Sequence, residues 1–167
     1  TDYENKKLEI ITDPDNKERD LKRERNFKIK NWYGGTINHL NNMPPGRILD
    51  VGAGLGYFLS ALNNDWKKYA IETSKDNVRF IKKNFNYIDI LTGTLENNNL
   101  DKKFKFDVIF FYHVIEHLEE PLIAIDKIKS LLKSNGLLIL GTPNNSCFCS
   151  KIFGSKFRLL DPGHIFL

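Results

Sequence analysis

The stretch RILDVGAGLGYFLSAL, residues 47–62, joins an apolar run to three glycines at every second position and then to a second apolar run. The first run is typical of a buried strand and the second of a helix, so the glycines form the turn between them. Glycine permits the positive φ of a tight turn, and its missing Cβ lets another group touch the main chain. Gly52, Gly54 and Gly56 therefore indicate a ligand-binding loop, with a purely structural turn as the alternative.

Short apolar runs recur along the chain and are separated by segments with a helical period. Strands that alternate with helices pair in parallel through right-handed crossovers. The sequence therefore predicts an α/β fold with a doubly wound, mostly parallel sheet. Strands are expected at residues 47–51, 68–72, 87–92, 106–112 and 136–142, and helices at residues 55–64, 74–85 and 120–133.

The composition is typical of a single globular domain. Of the 167 residues, 41% are hydrophobic and 28% are charged, which suffices for one buried core. No apolar run reaches the ~20 residues that span a bilayer, and the sequence does not begin with a secretory pattern. We therefore expect a cytoplasmic protein without a membrane partner. Cys147 and Cys149, separated by one residue, are interpreted as reduced structural thiols.

The charge pattern argues against a nucleic-acid partner. The formal net charge is +4, and basic residues cluster between residues 17 and 30. Glu18, Asp20 and Glu24 are interleaved with them, which is typical of the solvated face of a helix. A nucleic-acid-binding stripe would carry fewer acids and more aromatic residues.

Residues 1–46 are interpreted as an N-terminal helical extension or lid ahead of a core at residues 47–167. A charged helix becomes apolar toward Leu40 and is stopped by NNMPPG, because proline disfavours helix at its own position and just before it. Trp32 and Tyr33 are aromatic residues of this helix, which we expect near the mouth of the site. A helix docked on the far side of the sheet is the alternative.

The glycine spacing distinguishes between nucleotide ligands. Doubly wound sheets bind ligands at the carboxyl ends of their strands, where the glycine loop is predicted to lie. A dinucleotide fingerprint reads G-x-G-x-x-G and would need its third glycine at position 57, which is Tyr57. The spacing is G-x-G-x-G instead, so an NAD-dependent oxidoreductase is the weaker interpretation.

The segment ILDVGAGLGYFL, residues 48–59, resembles the first motif of the class I S-adenosylmethionine-dependent methyltransferases, and the resemblance extends to the C-terminus. It implies the Rossmann-like methyltransferase fold with strand order 3-2-1-4-5 and S-adenosylmethionine as the cofactor. In that family the methionine part of the cofactor lies against the glycine loop, and the acid ending the first strand, here Asp50, helps hold its ammonium group. The family's sheet has two further edge strands, which the resemblance predicts to be missing from a truncated core.

Glu72 ends the second predicted strand, where the family has an acid that binds both ribose hydroxyls. A carboxylate offers two acceptors to a vicinal diol. A role in capping its own turn is the alternative for Glu72. In LTGTLEN, Thr94 replaces the aspartate with which the family often contacts adenine, and the backbone at Leu95 can serve instead.

The stretches HVIEHLEEP, TPNN and DPGHIFL resemble the subgroup near the ubiquinone-type O-methyltransferases and the sugar or natural-product methyltransferases. The implied function is transfer of a methyl group to an oxygen or nitrogen of a small-molecule or glycan-like acceptor. A non-catalytic binding module with the same fold is the alternative. The resemblance implies cofactor contacts from Asp50, Gly52, Ala53, Gly54, Gly56, Tyr57, Glu72, Thr73, Thr94, Leu95, Tyr112 and His113.

The stretch HVIEH, residues 113–117, leaves three interpretations open. In a helical turn, His113, Glu116 and His117 would share a face and could bind a divalent metal. His113 or His164 could instead act as a general base, because imidazole titrates near working pH. The residues could also serve only to fix the loop by hydrogen bonds. We take His113 and His164 as the candidate catalytic residues and expect no metal.

Overall fold

The computed structural model describes residues 11–12, 18–98, 100 and 104–144. The strands in these ranges are β1 (Ile11–Thr12), β2 (Glu18–Arg19), β3 (Arg47–Val51), β4 (Lys67–Glu72), β5 (Ile88–Thr92), β6 (Phe106–Tyr112) and β7 (Leu132–Gly141). The α-helices are α1 (Leu21–Lys28), α2 (Gly34–Asn41), α3 (Tyr57–Ser60), α4 (Lys75–Asn84) and α5 (Pro121–Leu131). A π-helical turn at Ile29–Tyr33 joins α1 to α2, and a 3₁₀ turn at Ile115–His117 follows β6.

The strands β3 to β7 form one parallel sheet in the spatial order β5-β4-β3-β6-β7. Counted within the sheet, this is the predicted order 3-2-1-4-5, so the doubly wound α/β fold is confirmed. The chain winds outward from β3 to β5 and then returns to β6 on the other side of β3. This reversal creates the crevice in which doubly wound sheets bind ligands. The expectation of missing edge strands concerns residues beyond 144, outside the described ranges.

The helix after the glycine loop is shorter than the expected 55–64. Ala61 and Leu62 donate to carbonyls three residues back, which tightens the last turn. The hydroxyl of Ser60 donates to the carbonyl of Tyr57 at 2.8 Å and so competes with the helical hydrogen bonds. These local bonds end α3 after a single turn.

Strand β7 begins earlier than the predicted run at 136–142. Leu132 already pairs with Phe106, and after a register shift Leu137 pairs with Val108. The segment between Leu132 and Leu137 departs from regular pairing as a bulge does. The turn signal NG at residues 135–136 therefore falls within an irregular strand instead of ahead of a regular one.

Alternate residues of the central strands face two different cores. On one face, Ile48 and Val108 join a cluster that includes residues of α1, α2, α3 and α4. On the other face, Leu49 and Ile109 pack with the buried side of α5. Because side chains alternate along a strand, Asp50 lies on the same face as Ile48, which is the face that the N-terminal helices cover.

The N-terminal helices are part of the first of these cores. Leu21, Ile37 and Leu40 are buried in it. The ring of Tyr33 meets the rings of Phe58 and Phe110 edge-on, at centroid distances of 5.6 and 6.0 Å. The segment that precedes β3 therefore packs on the sheet through apolar contacts.

Helix α5 offers a matched pair of isoleucines that tests this assignment of faces. Ile128 is 1% exposed, whereas Ile123 is 55% exposed on the same helix. We expect Ile128→Ala to lower the free energy of unfolding by about 2–5 kcal/mol, because it leaves a cavity in the core. Ile123→Ala should change it by less than about 0.5 kcal/mol. Urea denaturation followed by circular dichroism measures both, and equal losses would contradict the assigned buried face.

Candidate active site

The glycine loop between β3 and α3 has left-handed backbone at three positions. Gly52, Gly54 and Gly56 have φ values of 77°, 55° and 72°. A Cβ on Gly52 would lie 2.5 Å from Val114 Cγ2, and one on Gly56 would lie 3.0 Å from Ile81 Cγ1. A Cβ on Gly54 would meet nothing within 4 Å. Protein packing thus accounts for the outer two glycines, and Gly54 is the one of the three that borders open space.

Glu72 ends β4 and binds the glycine loop through its carboxylate. Oε2 accepts a hydrogen bond from the Gly54 N–H at 2.6 Å, and Oε1 accepts from the Ser74 N–H at 2.8 Å. Ser74 is the residue that caps α4, by accepting from the Asn77 N–H at 3.3 Å. Glu72 is 7% exposed, and its Oε2, which accepts from the Gly54 N–H alone among the described residues, keeps lone-pair capacity for another donor. Glu72 therefore binds the glycine loop as well as the turn that begins α4.

Asp50, one strand away in β3, is a buried carboxylate that is 4% exposed. Burial, together with the negative charge of Glu72, raises its pKa from the ordinary 3.8 to about 8. Within the described part of the chain, no donor or cation offsets this cost. A buried carboxylate in this condition favours a ligand that brings a positive charge or a hydrogen-bond donor.

The π-helical turn brings two aromatic residues to this edge of the sheet. The pKa of Tyr33 is raised by burial and by the charge of Asp50, and its ring lies 5.9 Å from that of Tyr112. The ring of Trp32 lies 6.0 Å from that of His113 and is 44% exposed. The N-terminal helices therefore contribute aromatic surface beside the strand-end carboxylates.

Three of the expected cofactor contacts have side chains that engage other partners. The ring of Tyr57 is buried and packs edge-on to Phe80 at 6.5 Å. The Thr94 hydroxyl oxygen accepts from the Asn97 N–H at 3.2 Å in its own turn. Leu95 is buried in the core that includes α5. For Thr94 and Leu95, the backbone is the part that remains for contact with a ligand. The buried hydroxyl of Tyr57 has no hydrogen-bond partner among the described residues.

Two further expected contacts flank the bond between Glu72 and the loop. The Ala53 N–H donates to the Ile71 carbonyl at 3.2 Å, which holds the loop against the end of β4. Thr73 is exposed, with its hydroxyl 3.4 Å from Glu72 Oε1. Both residues therefore lie beside Glu72, the carboxylate for which the family resemblance implies ribose binding.

His113 follows β6 and is held from several directions. It has a φ of 55°, the left-handed region that few residues other than glycine adopt. Its N–H donates to the Gly141 carbonyl at 2.8 Å, and its Nδ1 lies 3.0 Å from Glu116 Oε1. The Thr142 hydroxyl donates to Glu116 Oε2 at 3.3 Å. The side chain of Glu116 is 0% exposed, while that of His113 is 35% exposed.

The metal interpretation required His113, Glu116 and His117 to converge. In the structure Glu116 is buried against His113, whereas His117 is exposed. The ranges that the structure describes contain no group of three histidines, cysteines or acids that could hold a metal ion. The geometry therefore gives the metal hypothesis no support. The expectations for His164, Cys147 and Cys149 concern residues outside the described ranges.

Val114 and Thr142 belong to the site although the sequence did not point to them. Val114 fills the space beside Gly52, and Thr142 donates to Glu116. Each contact joins segments that are far apart in the chain, so no local pattern signals it. Paired substitution among related sequences is the signal that would have indicated such contacts.

The fold is that of a Rossmann-like α/β domain, with the candidate site at the carboxyl edge of its parallel sheet. A family model described as "Methyltransferase domain" matches residues 23–165. The match includes the glycine loop, both strand-end carboxylates and the His113 loop. The chain therefore belongs to this family of methyltransferase domains.

Individual relatives agree with this assignment. The chain is 27% identical over 143 residues to the ubiquinone biosynthesis O-methyltransferase of Bradyrhizobium diazoefficiens, over 81% of this chain and 52% of that protein. A solved S-adenosylmethionine-dependent methyltransferase from Clostridium acetobutylicum matches with a TM-score of 0.63 and 18% identity, over 80% of this chain and 61% of that one. The plantazolicin methyltransferase BpumL, solved with a desmethylPZN analog and SAH, matches with a TM-score of 0.67 and 16% identity. The match covers 93% of this chain and 65% of that one. The chain spans about half the length of the curated relatives it matches.

The raised pKa of Asp50 makes stability depend on pH. Because its pKa of about 8 in the folded chain exceeds the ordinary 3.8, Asp50 favours folding when protonated and costs stability increasingly as the pH rises between these values. We expect Asp50→Asn to raise the free energy of unfolding by about 1–3 kcal/mol near pH 8. The gain should be smaller near pH 5, where the folded protein keeps Asp50 protonated. Urea denaturation at the two pH values measures the difference.

Asp89→Asn is the matched control, because it makes the same change at an exposed position of β5. Its effect on the free energy of unfolding should be within about 0.5 kcal/mol at both pH values. The raised pKa would be refuted by a gain from Asp50→Asn that does not change with pH.

Proposed function

We propose that the protein binds S-adenosylmethionine at the carboxyl edge of its sheet and transfers the methyl group to an oxygen or nitrogen of a small-molecule or glycan-like acceptor. The observation that carries this proposal is the pair of buried carboxylates Asp50 and Glu72 on neighbouring strands. A ligand with both an ammonium group and a vicinal diol suits this pair. Membership of the methyltransferase-domain family supports the same activity.

Each part of the proposed cofactor has residues suited to hold it. Asp50 would accept from the ammonium group, and Glu72 would use its remaining lone pairs for the ribose hydroxyls while it keeps the Gly54 N–H. The open side of Gly54 leaves room for the methionine part beside the main chain. When bound, S-adenosylmethionine supplies a methyl group that its positively charged sulfur makes electrophilic.

His113 is the proposed general base for an acceptor that must lose a proton. Its ring is partly exposed and flanked by the rings of Trp32 and Tyr112, which offer apolar surface to an acceptor. Correct positioning of reactants can supply ~7–11 kcal/mol of a barrier, and a general base typically adds ~10²–10⁴-fold to the rate. His164 stays a second candidate base from the sequence.

We extend the proposal to the division of the chain into a lid at residues 1–46 and a cofactor-binding core at residues 47–167. Support for the lid comes from the contacts of Tyr33 with Tyr112 and of Trp32 with His113. A cytoplasmic location without a membrane or nucleic-acid partner stays a prediction from the sequence. Among the helices of the described ranges, none has the length and apolar character to cross a bilayer.

Calorimetric titration with S-adenosylhomocysteine and, separately, with NAD tests the proposed cofactor. We expect S-adenosylhomocysteine to bind with one site per chain and NAD to give no binding heat. Incubation with methyl-labelled S-adenosylmethionine and a panel of hydroxylated and amine compounds then tests transfer. Binding without any transfer would favour the non-catalytic module, and absence of S-adenosylhomocysteine binding would contradict the proposal.

Two glycines provide a matched test of the ligand's position. Both would place an added Cβ in open space, but Gly54 has a φ of 55° in the loop, whereas Gly35 lies in α2. Gly54→Ala should weaken S-adenosylhomocysteine binding about tenfold or more and cost about 1–2 kcal/mol of stability through left-handed strain. Gly35→Ala should keep the affinity and add about 0.5–1 kcal/mol of stability. Calorimetry and urea denaturation measure both, and equal affinities would place the ligand elsewhere.

Tryptophan fluorescence tests the proposed lid. The chain has two tryptophans, and Trp66 is buried in the core, so Trp66→Phe leaves Trp32 as the reporter. We expect saturating S-adenosylhomocysteine to shift the emission of Trp32, because its ring lies at the edge of the site near His113. Trp32→Phe is the control and should abolish the response. Emission that stays constant in the Trp66→Phe protein would argue against a lid at this position.

A further inference from the structure

Glu116 is a buried carboxylate that the proposed cofactor contacts do not use. Its side chain is 0% exposed, and each of its oxygens has one hydrogen-bond partner among the described residues. Oε1 lies 3.0 Å from His113 Nδ1, and Oε2 accepts from the Thr142 hydroxyl at 3.3 Å. Burial of a carboxylate is costly unless hydrogen bonds compensate it. These two contacts therefore offset part of the free-energy cost of burying Glu116 at this position.

The contact between Glu116 and His113 is compatible with a proton on one particular ring nitrogen. With Glu116 ionised, Nδ1 carries the shared proton, because an ionised carboxylate can only accept hydrogen bonds. A neutral imidazole has one N–H, so Nε2 then bears a lone pair. Among the described residues, none forms a hydrogen bond with Nε2. The free nitrogen of a partly exposed ring is thus left as an acceptor.

We infer that Glu116 is the positioning residue that makes His113 a general base, with Thr142 holding the second carboxylate oxygen. This inference rests on the proposed methyl transfer. In the step assigned to His113, the O–H or N–H bond of the acceptor breaks, its electron pair stays on the acceptor atom, and the proton bonds to Nε2. The negative charge of Glu116 stabilises the imidazolium that forms, as a buried carboxylate does beside the histidine of hydrolytic triads.

The surroundings of His113 restrict its ring as well as its tautomer. The ring lies 4.6 Å from that of Tyr112 at a steep angle and 6.0 Å from that of Trp32. Its backbone keeps a left-handed φ of 55° while its N–H donates to Gly141. Unfavourable backbone of this kind persists where neighbouring contacts over-determine it, which is common at functional sites.

Nitrogen NMR of the ligand-free chain with ¹⁵N-labelled histidine tests the tautomer directly. Long-range correlation of ring protons with ring nitrogens shows which nitrogen is protonated. His113→Asn identifies the signal of His113, because asparagine tolerates left-handed backbone. At a pH where the ring is neutral, we expect a protonated Nδ1 and an unprotonated Nε2. The opposite tautomer would overturn the inference.

Variants at position 116 test whether Glu116 is the cause. We expect Glu116→Leu to remove the acceptor and shift the neutral His113 toward the Nε2–H tautomer that water favours. Glu116→Met makes the same test with a more adaptable side chain if the leucine variant does not fold. Glu119→Leu is the matched control at an exposed position and should leave the tautomer unchanged. An unchanged Nδ1–H tautomer in a folded Glu116 variant would overturn the inference.

Cofactor binding and turnover separate this inference from the proposed function. Glu116→Leu should keep the affinity for S-adenosylhomocysteine within about twofold of the parent, and with a working acceptor it should lower kcat about tenfold or more at unchanged KM for S-adenosylmethionine. If the parent chain fails to bind S-adenosylhomocysteine, the proposed function fails whatever the tautomer. If the parent binds it but shows the Nε2–H tautomer or an unchanged kcat in Glu116→Leu, the positioning role alone is overturned.

Discussion

The carboxylate of Glu72 accepts hydrogen bonds from two backbone N–H groups, which belong to segments that follow two neighbouring strands. One belongs to Gly54 in the loop after β3, at 2.6 Å, and the other to Ser74 at the start of α4, at 2.8 Å. A loop with three left-handed glycines can adopt many backbone conformations, so the contacts that it makes determine its shape. Glu72 supplies one anchor through the Gly54 N–H. The Ile71 carbonyl supplies another by accepting from the Gly52 and Ala53 N–H groups.

The same negative charge affects Asp50 on the next strand. Glu72 adds to the burial that raises the pKa of Asp50 to about 8. The site thus keeps a carboxylate in a position that is unfavourable for the folded protein by itself. Loss of stability at a binding site is a common consequence of selection for function. A cationic ligand would recover this cost as binding free energy, because it favours the ionised form of Asp50.

Much of the architecture could be predicted because its signals are local. The five apolar runs predicted the strands of the sheet, and the alternation of strands with helices predicted that the sheet is parallel and doubly wound. The order 3-2-1-4-5, which the family resemblance implied, is confirmed. The predicted bounds differ from the structure where a side-chain or nonlocal contact determines the end of an element. The hydroxyl of Ser60 bonds to the Tyr57 carbonyl and ends α3 early. The pairing of Leu132 with Phe106 starts β7 early. The carboxylates at the strand ends could be recognised from their place in the pattern. The partners of Glu116 and Gly52 could not, because Thr142 and Val114 meet them only after the chain has folded.

The π-helical turn at Ile29–Tyr33 sets the phase between the two helices that it joins. In a continuous α-helix of 3.6 residues per turn, Leu21 and Ile37 would project to nearly opposite sides, yet both are buried in the same core. The wider π-turn advances less per residue and so rotates α2 until Ile37 and Leu40 face the sheet. The number of residues in this turn, more than the identity of their side chains, therefore determines which face of α2 meets the sheet. An exposed substitution within it preserves the phase, whereas the gain or loss of one residue would turn α2 by about 100° and carry its apolar stripe away from the sheet.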